Sequence, residues 1–217
     1  MRHIPFISVP GIIGVIGLWL ILLPAETDFF PIGFFSIMDI YTVIILFLLA
    51  YTVLVRNKFT FDEAGFVILT TLYVGIGFYF LIETRLGLNG FSNILFAFLI
   101  IWATDTGAYF IGRAFGKRKL WPDISPNKTV EGAIGGIITA CAVAIVFHWI
   151  HPFPHSLFFV VLVTIFASMV GQVGDLVESA FKRNYGVKDS GKILPGHGGI
   201  LDRFDSLLFV LPFLYLI

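Results

Sequence analysis

Acidic residues recur at helical spacing in the C-terminal third of this otherwise apolar chain. In KDSGKILPGHGGILDRFDS, Asp202 and Asp205 stand three residues apart where the last apolar run begins, so on a helix they share one face. Upstream, in GQVGDLVESAFKR, Asp175 and Glu178 have the same spacing. Hard divalent cations such as Mg²⁺ bind one or two carboxylates together with substrate phosphates. The pattern therefore predicts a carboxylate pocket for a metal and a phosphorylated substrate.

Asp105 lies inside the apolar segment LIIWATDTGAYFIGRAFGK, about 12 Å below Arg113 if the segment is helical. Asp175 has a similar depth below Lys182, so these two acids could meet at one level of a helix bundle. An acid at membrane depth is by default a functional-site hypothesis. The alternative for Asp105 is a helix-packing hydrogen bond, and the alternative for Glu178 is an ordinary ion pair with Lys182.

Basic residues accompany the acids and suit phosphate groups. An alternative for the lysines is a plain basic loop that attracts anionic lipid headgroups. That alternative would explain the lysines but would leave the acids and the glycines unexplained. The bases fall in two polar stretches and are Lys117, Arg118, Lys119, Lys128, Lys182, Arg183, Lys188, Lys192 and Arg203.

A glycine cluster surrounds His197, and Gly198 and Gly199 would let backbone N–H groups approach an anion closely. His197 either hydrogen-bonds a phosphate or only orders the glycine loop; both interpretations stay open. For Asp189 we expect pairing with a neighbouring base rather than metal ligation.

Composition places the chain among membrane proteins. Hydrophobic residues make up 58% and charged residues 13% of it, and the mean hydropathy is +0.94, whereas soluble domains carry roughly 25% charged residues. The single Cys141 excludes an internal disulfide framework and a cysteine-based zinc site, and we expect it to be a packed thiol. No nucleic-acid partner is expected.

Apolar segments and charge set the predicted topology. The run VPGIIGVIGLWLILLPAE is interpreted as a first span and not as a signal peptide, because no small-residue cleavage site follows it. With a cytoplasmic N-terminus, all 14 Lys and Arg except Arg85 fall on the cytoplasmic side, a strong positive-inside signal. The candidate spans are 11–24, 40–55, 64–83, 93–112, 133–150, 156–178 and the short 206–217.

We therefore predict an all-α, polytopic integral membrane helix bundle of about seven transmembrane helices. Its N-terminal helices would occupy 1–94 and its catalytic region 95–217, with polar loops 113–132 and 179–205 on one cytoplasmic surface.

The segment SAFKRNYGVKDSGKILPGHGGILDRFDS, residues 179–206, resembles the signature of the phosphatidate cytidylyltransferase family, also called CDP-diacylglycerol synthases. The shared elements are Ser-x-x-Lys-Arg, Lys-Asp, Pro-Gly-His-Gly-Gly and Asp-Arg-x-Asp. Upstream, DTGAYFIGRAFGK and SPNKTVEGAIGG are also similar to that family. The resemblance covers 95–217 well, while 1–94 matches as generic spans. The chain is short for the family, so we expect one or two further N-terminal helices outside it.

The resemblance implies an enzyme that joins CTP and phosphatidic acid into CDP-diacylglycerol and pyrophosphate at a cytoplasm-facing site. It implies Mg²⁺ and a second cation such as K⁺ as cofactors and a bacterial inner membrane as location. A homodimer is common among resembling proteins, and the oligomeric state stays open. Such chemistry depends mostly on positioning and charge neutralisation. As metal-holding acids we expect Asp175 and Asp202, supported by Asp105, Glu178 and Asp205. The expected catalytic set is Asp175, Asp202, Lys182, Arg203 and His197. The expected substrate-binding set is Ser125, Lys128, Glu131, Arg183, Lys188, Asp189, Gly198 and Gly199.

Proteins with other functions could use the same residues. A CTP-dependent lipid kinase or an archaeal-type CDP-lipid synthase would use similar phosphate clamps with another lipid acceptor. An ion-coupled transporter would use buried acids such as Asp105 and Asp175 to carry ions, but transporters often show repeated halves, and no repeat is visible here. The intact His-Gly-Gly and Asp-Arg-x-Asp elements favour nucleotidyl transfer to phosphatidic acid.

Overall fold

A computed structural model describes residues 5, 7–23, 37–191, 193 and 198–215. In this part of the chain, seven α-helices and one two-stranded antiparallel hairpin follow one another. The helices are α1 (Val9–Leu22), α2 (Ile37–Leu54), α3 (Phe61–Leu86), α4 (Gly90–Phe115), α5 (Val130–Ile150), α6 (Leu157–Asn184) and α7 (Leu201–Tyr215). The strands β1 (Lys119–Trp121) and β2 (Ser125–Thr129) lie between α4 and α5.

The helical class predicted from the sequence is confirmed, with the hairpin as an addition. Four helices, α3, α4, α5 and α6, are long and apolar enough to cross a membrane. The predicted number of about seven spans is not confirmed and stays a prediction, because the described part of α1 has 14 residues and that of α7 has 15. A helix that crosses the hydrocarbon core needs about 20 residues.

The chain divides into two compact units, residues 1–83 and 84–217. In the first, the Tyr41 hydroxyl donates to the Gly17 carbonyl at 2.8 Å and ties α2 to α1. Helix α3 begins with a capping box, in which the Glu63 carboxylate accepts from the Thr60 backbone N–H at 2.7 Å while the Thr60 hydroxyl accepts from the Glu63 N–H at 3.3 Å. The candidate functional residues all fall in the second unit.

The second unit depends on close approach between its helices. A Cβ built on Gly136 of α5 would lie 2.6 Å from the Thr104 carbonyl oxygen of α4, so only glycine lets these helices pack at this distance. The buried hydroxyl of Thr104 also hydrogen-bonds that of Ser168 at 2.9 Å, which ties α4 to α6. Helix α4 is thus fixed to both neighbours at the level of Asp105, the next residue along the chain.

The first polar stretch, 113–132, was predicted to be a loop, and the structure divides it into helix, hairpin and helix. Helix α4 continues to Phe115, and the hairpin then pairs Lys119 with Thr129 and Trp121 with Ser125. Thr129 ends the hairpin and caps α5, because its hydroxyl accepts from the Gly132 N–H at 3.1 Å. The second polar stretch, 179–205, is likewise helical at both ends, since α6 extends to Asn184 and α7 begins at Leu201.

Candidate active site

Acids and bases from four elements meet at one end of the second unit. Helix α4 carries Asp105, strand β2 carries Lys128, and helix α6 carries Asp175, Glu178 and Lys182. Helix α7 contributes Asp202 and Asp205. The structure thus brings the predicted carboxylates close to one another and places two of the predicted bases, Lys128 and Lys182, beside them.

Lys128 pairs with Asp175. The Lys128 ammonium lies 2.5 Å from Oδ2 of Asp175, and the Ser179 hydroxyl donates to Oδ1 of the same carboxylate at 3.3 Å. Ser179 stands one helical turn after Asp175 on α6, which explains its reach. Both oxygens of Asp175 therefore have partners, and one of those partners comes from the hairpin.

Asp105, Asp175 and Asp205 lie close enough for their charges to interact, and Lys128 interacts electrostatically with Asp105 and Asp205 as well. The cause is local packing: a Cβ on Gly174 would lie 2.6 Å from the Phe209 Cβ and 3.0 Å from the Asp205 carbonyl oxygen. Glycine at 174 lets α6 and α7 touch beside Asp175. The three carboxylates, from three helices, repel one another, and a nearby positive charge would reduce this repulsion.

Lys182 bridges two further acids. Its ammonium forms an ion pair with Glu178, one turn earlier on α6, and lies 2.7 Å from Oδ1 of Asp202 on α7. Glu178 is only 2% exposed. The ion pair of Glu178 with Lys182, which the sequence offered as the alternative to a metal-holding role, is therefore present, and the same lysine also joins α6 to α7.

Asp202 organises the loop that precedes α7. Its Oδ2 accepts from the Ser190 N–H at 2.8 Å, the Ser190 hydroxyl at 2.7 Å and the Gly199 N–H at 2.7 Å. Gly198 stands beside this carboxylate with a φ of +82°, in the left-handed region that glycine tolerates. Burial acts to raise the pKa of Asp202, but the hydrogen bonds from Lys182, Ser190 and Gly199 outweigh it and hold the pKa well below its usual range.

The hairpin is fixed over the site by side chains of α5 and α6. Oε2 of Glu131 accepts from the backbone N–H groups of Lys117 and Arg118 at 3.0 and 3.1 Å. The Arg183 Nε donates to the Ile124 carbonyl at 3.3 Å. Glu131 and Arg183, both predicted to bind substrate, thus hold the hairpin in place here.

The remaining predicted residues form none of these ion pairs. Arg203, Lys188 and Asp189 are exposed, and none of them forms an ion pair within the described residues, so the expected pairing of Asp189 with a base is not seen there. Ser125 is half-buried at the start of β2. His197 lies outside the described residues.

The charged groups of this site are of the types with which proteins bind hard cations and phosphate. Within the described ranges, no group of three or more His, Cys, Asp or Glu side chains converges as a ready metal site. The chemistry of the donor set nevertheless fits a hard cation, because Asp175 and Asp202 each already neutralise a lysine ammonium, and Mg²⁺ needs only one or two carboxylates when phosphates complete its shell. On Asp202, only Oδ1 could serve, since Oδ2 already accepts three hydrogen bonds.

Sequence reasoning missed Ser190 and the Ile124 carbonyl. Ser190 sits between an acid and a glycine in KDSGK, a turn-forming context in which a serine is easily taken for a loop residue. Its link to Asp202 spans 12 residues, which no helical period reveals. A backbone carbonyl such as that of Ile124 leaves no signal in the sequence.

Comparison with known proteins gives a consistent result. The model of the cytidylyltransferase family matches residues 1–217. The phosphatidate cytidylyltransferase of Bacillus subtilis is 54% identical over 99% of this chain and 80% of its own length. The proteins of the same name from Staphylococcus saprophyticus and Staphylococcus aureus are 52% and 50% identical, each over 99% of this chain and 81% of its own length.

Proposed function

Because this chain belongs to the cytidylyltransferase family, we propose that it catalyses the reaction of CTP with phosphatidic acid to give CDP-diacylglycerol and pyrophosphate. A phosphate oxygen of phosphatidic acid attacks the α-phosphorus of CTP. The bond from that phosphorus to the oxygen bridging to the β-phosphate breaks, and pyrophosphate leaves with its electron pair. The nucleophile is already ionised, so the reaction needs no strong base.

The observation that carries this proposal is the pair of lysine–carboxylate contacts, Lys128 with Asp175 and Lys182 with Asp202. They place two cations and two anions from the hairpin, α6 and α7 side by side where polar loops meet apolar helices. Phosphoryl-type transfers depend on positioning and on neutralising charge at the transferring and leaving groups. Because the lysine ammonium is already held in the site by a carboxylate, it can exchange that contact for one with a substrate phosphate.

We propose Mg²⁺, with room for a second cation such as K⁺, as the metal of the reaction. Asp175 and Oδ1 of Asp202 would hold it, and the neighbouring charges of Asp105 and Asp205 would favour its presence. A bound cation would polarise phosphate oxygens and offset the negative charge of the leaving group. Glu178 is not included, because its side chain is almost completely buried.

Phosphate recognition is proposed for the bases. Lys128 and Lys182 stand in the site, and the exposed Lys188 and Arg203 lie on the flanking loop and on the first turn of α7. The nucleotide would bind beside the hairpin, near Ser125, with Glu131 and Arg183 shaping that surface. For His197 we keep the two roles proposed from the sequence, which are to contact a phosphate or to order the glycine-rich segment around it.

We also propose the setting of the reaction. The enzyme would be an integral protein of the bacterial inner membrane, with about seven helices in the bilayer and the site facing the cytoplasm, as the positive-inside distribution favours. The four long apolar helices support a membrane setting. A homodimer is proposed from the family resemblance.

Pyrophosphate release from CTP and phosphatidic acid tests the function. The purified protein in detergent should release pyrophosphate only with both substrates and a divalent cation. Asp175→Asn and Asp202→Asn should abolish release. For Asp175→Asn, whose carboxylate is partly exposed, the thermal unfolding midpoint should stay near that of the parent. Release with another lipid acceptor but not with phosphatidic acid would overturn the substrate assignment, and no release under any metal would overturn the reaction.

A further inference from the structure

Glu178 is the acid of the site that is most enclosed by protein. It is 2% exposed, and its ion-pair partner among the described residues is Lys182. The charge of Asp202 interacts with it as well. Lys182 therefore lies between two carboxylates, one from its own helix and one from α7.

A buried carboxylate is costly unless a partner compensates its charge, and removal of that partner is strongly destabilising. Glu178 is thus stable in its position only because Lys182 remains beside it. The converse holds for the lysine, whose long flexible stem would otherwise sample many rotamers. The mutual constraint fixes the ammonium at the point where it meets Oδ1 of Asp202, at 2.7 Å.

We propose that Glu178 is a positioning residue that holds the ammonium of Lys182 against Asp202, and that it does not ligate the metal. This inference rests on the proposed function, because it gives Lys182 and Asp202 roles in that reaction. Through Lys182, Glu178 also supports Asp202, which anchors Ser190 and Gly199 of the preceding loop. The acid thereby contributes to substrate turnover without touching substrate or cation.

Metal ligation by Glu178 would need an oxygen open to a hydrated ion. Mg²⁺ usually keeps several waters in protein sites. The Glu178 side chain is 1% exposed and leaves no such access, whereas the Asp175 side chain is 30% exposed. The lysine contact does not distinguish them, because Asp175 and Asp202 also pair with lysines.

A double-mutant cycle separates the two roles. Mn²⁺ alone, observed by electron paramagnetic resonance, is titrated into the detergent-purified parent, Glu178→Gln, Lys182→Met and the double variant, with Asp175→Asn as the reference for a lost ligand. In the Lys182→Met background, Glu178→Gln should leave the Mn²⁺ affinity unchanged. A loss of about tenfold or more in both backgrounds, the size associated with disturbed metal shells, would overturn the proposal.

Thermal unfolding of the same proteins tests the pairing without any activity. Lys182→Met should lower the unfolding midpoint more than Glu178→Gln does, because it leaves a buried carboxylate without its cation. The double variant should recover part of that loss, and additive losses would overturn the pairing. If Lys182→Met does not fold, Lys182→Gln takes its place, and recovery of folding by Glu178→Gln gives the same result.

Kinetics complete the test. The loss in kcat/KM of the double variant should equal that of Lys182→Met alone, since Glu178 acts through the lysine. Glu178→Gln should lower kcat after correction for the folded fraction, which a purely structural role would leave unchanged. Multiplying losses would overturn the proposal. An inactive parent would instead refute the proposed function, and the Mn²⁺ and unfolding results would still decide the role of Glu178.

Discussion

The ammonium of Lys128 lies 2.5 Å from Oδ2 of Asp175, and this ion pair joins the hairpin to α6. Asp175 is one of the two acids proposed to hold the metal, so the lysine occupies an oxygen that a cation would use. If a cation binds there as proposed, the lysine and the cation would compete in the free protein. Transfer of the lysine to a bound phosphate would then link the position of the hairpin to substrate loading.

Lys128→Gln should separate these two effects. Without its ammonium competitor, Asp175 should bind Mn²⁺ in the nucleotide-free protein about tenfold more tightly, a change equivalent to about 1.4 kcal/mol. Turnover with saturating metal should fall, because one phosphate-neutralising group is gone. Titration with Mn²⁺ and initial rates of pyrophosphate release measure the two quantities.

Lys58→Gln is the control for the loss of one positive charge, since Lys58 is exposed between α2 and α3 and forms no ion pair within the described residues. It should leave both quantities near those of the parent. Equal Mn²⁺ affinity in Lys128→Gln and the parent would show that the lysine and the cation do not share Asp175.

Glu131→Ala should loosen the hairpin. It removes the carboxylate that accepts from the backbone N–H groups of Lys117 and Arg118. Both hydrogen bonds go to a charged carboxylate, so their loss should accelerate amide exchange at these two positions. Hydrogen–deuterium exchange with mass spectrometry of peptides that cover the hairpin measures it.

Glu63→Ala provides the comparison, because Glu63 also accepts from a backbone N–H, that of Thr60 at the start of α3. It should accelerate exchange near Thr60 and leave the hairpin unchanged. Unaltered exchange at 117 and 118 in Glu131→Ala would refute the role assigned to Glu131.

The acid pairs show how far spacing predicts this site. Asp175 and Glu178, and likewise Asp202 and Asp205, were predicted to share helix faces because a helical period relates positions three apart. The structure shows that the members of each pair have different surroundings. Glu178 faces Lys182 in a closed position, whereas the charge of Asp175 interacts with those of Asp105 and Asp205. Periodicity fixes the helix face, while tertiary packing decides which neighbour each carboxylate meets.

The hairpin marks the limit of such prediction. SPNKT carries polar residues and a proline, which indicate a loop, and the stretch 113–132 was accordingly expected to be one. Long-range partners override that local signal: Glu131 holds the entry to β1, and Arg183 of α6 holds the turn at Ile124. Contacts between residues so distant in the chain are not encoded in any local pattern.

Gly198→Ala should damage the loop around Asp202 for two reasons. Gly198 has a φ of +82°, and a Cβ there would lie 2.8 Å from Oδ2 of Asp202. The steric strain of a left-handed alanine is about 1–2 kcal/mol. The contact with Asp202 adds to it, so pyrophosphate release should fall about tenfold or more, equivalent to at least about 1.4 kcal/mol in the barrier.

Gly186→Ala isolates the backbone contribution, because Gly186 has a φ of +64° and nothing within 4 Å of its built Cβ. It should lower the thermal unfolding midpoint to a similar extent while keeping turnover. Equal activities of the two variants would mean that the geometry of Asp202 does not depend on Gly198.

Gly136→Ala should separate α5 from α4 next to Asp105. A Cβ at this position would lie 2.6 Å from the carbonyl oxygen of Thr104, a backbone atom that cannot turn away. Overpacking of this kind costs about 1–3 kcal/mol. Gly65→Ala on α3 is the control, since nothing lies within 4 Å of its built Cβ, and alanine there should stabilise the helix by up to about 1 kcal/mol. Thermal unfolding in detergent should therefore shift in opposite directions for the two variants. A downward shift of similar size in both would mean that the glycine contact does not control the packing of α4 against α5.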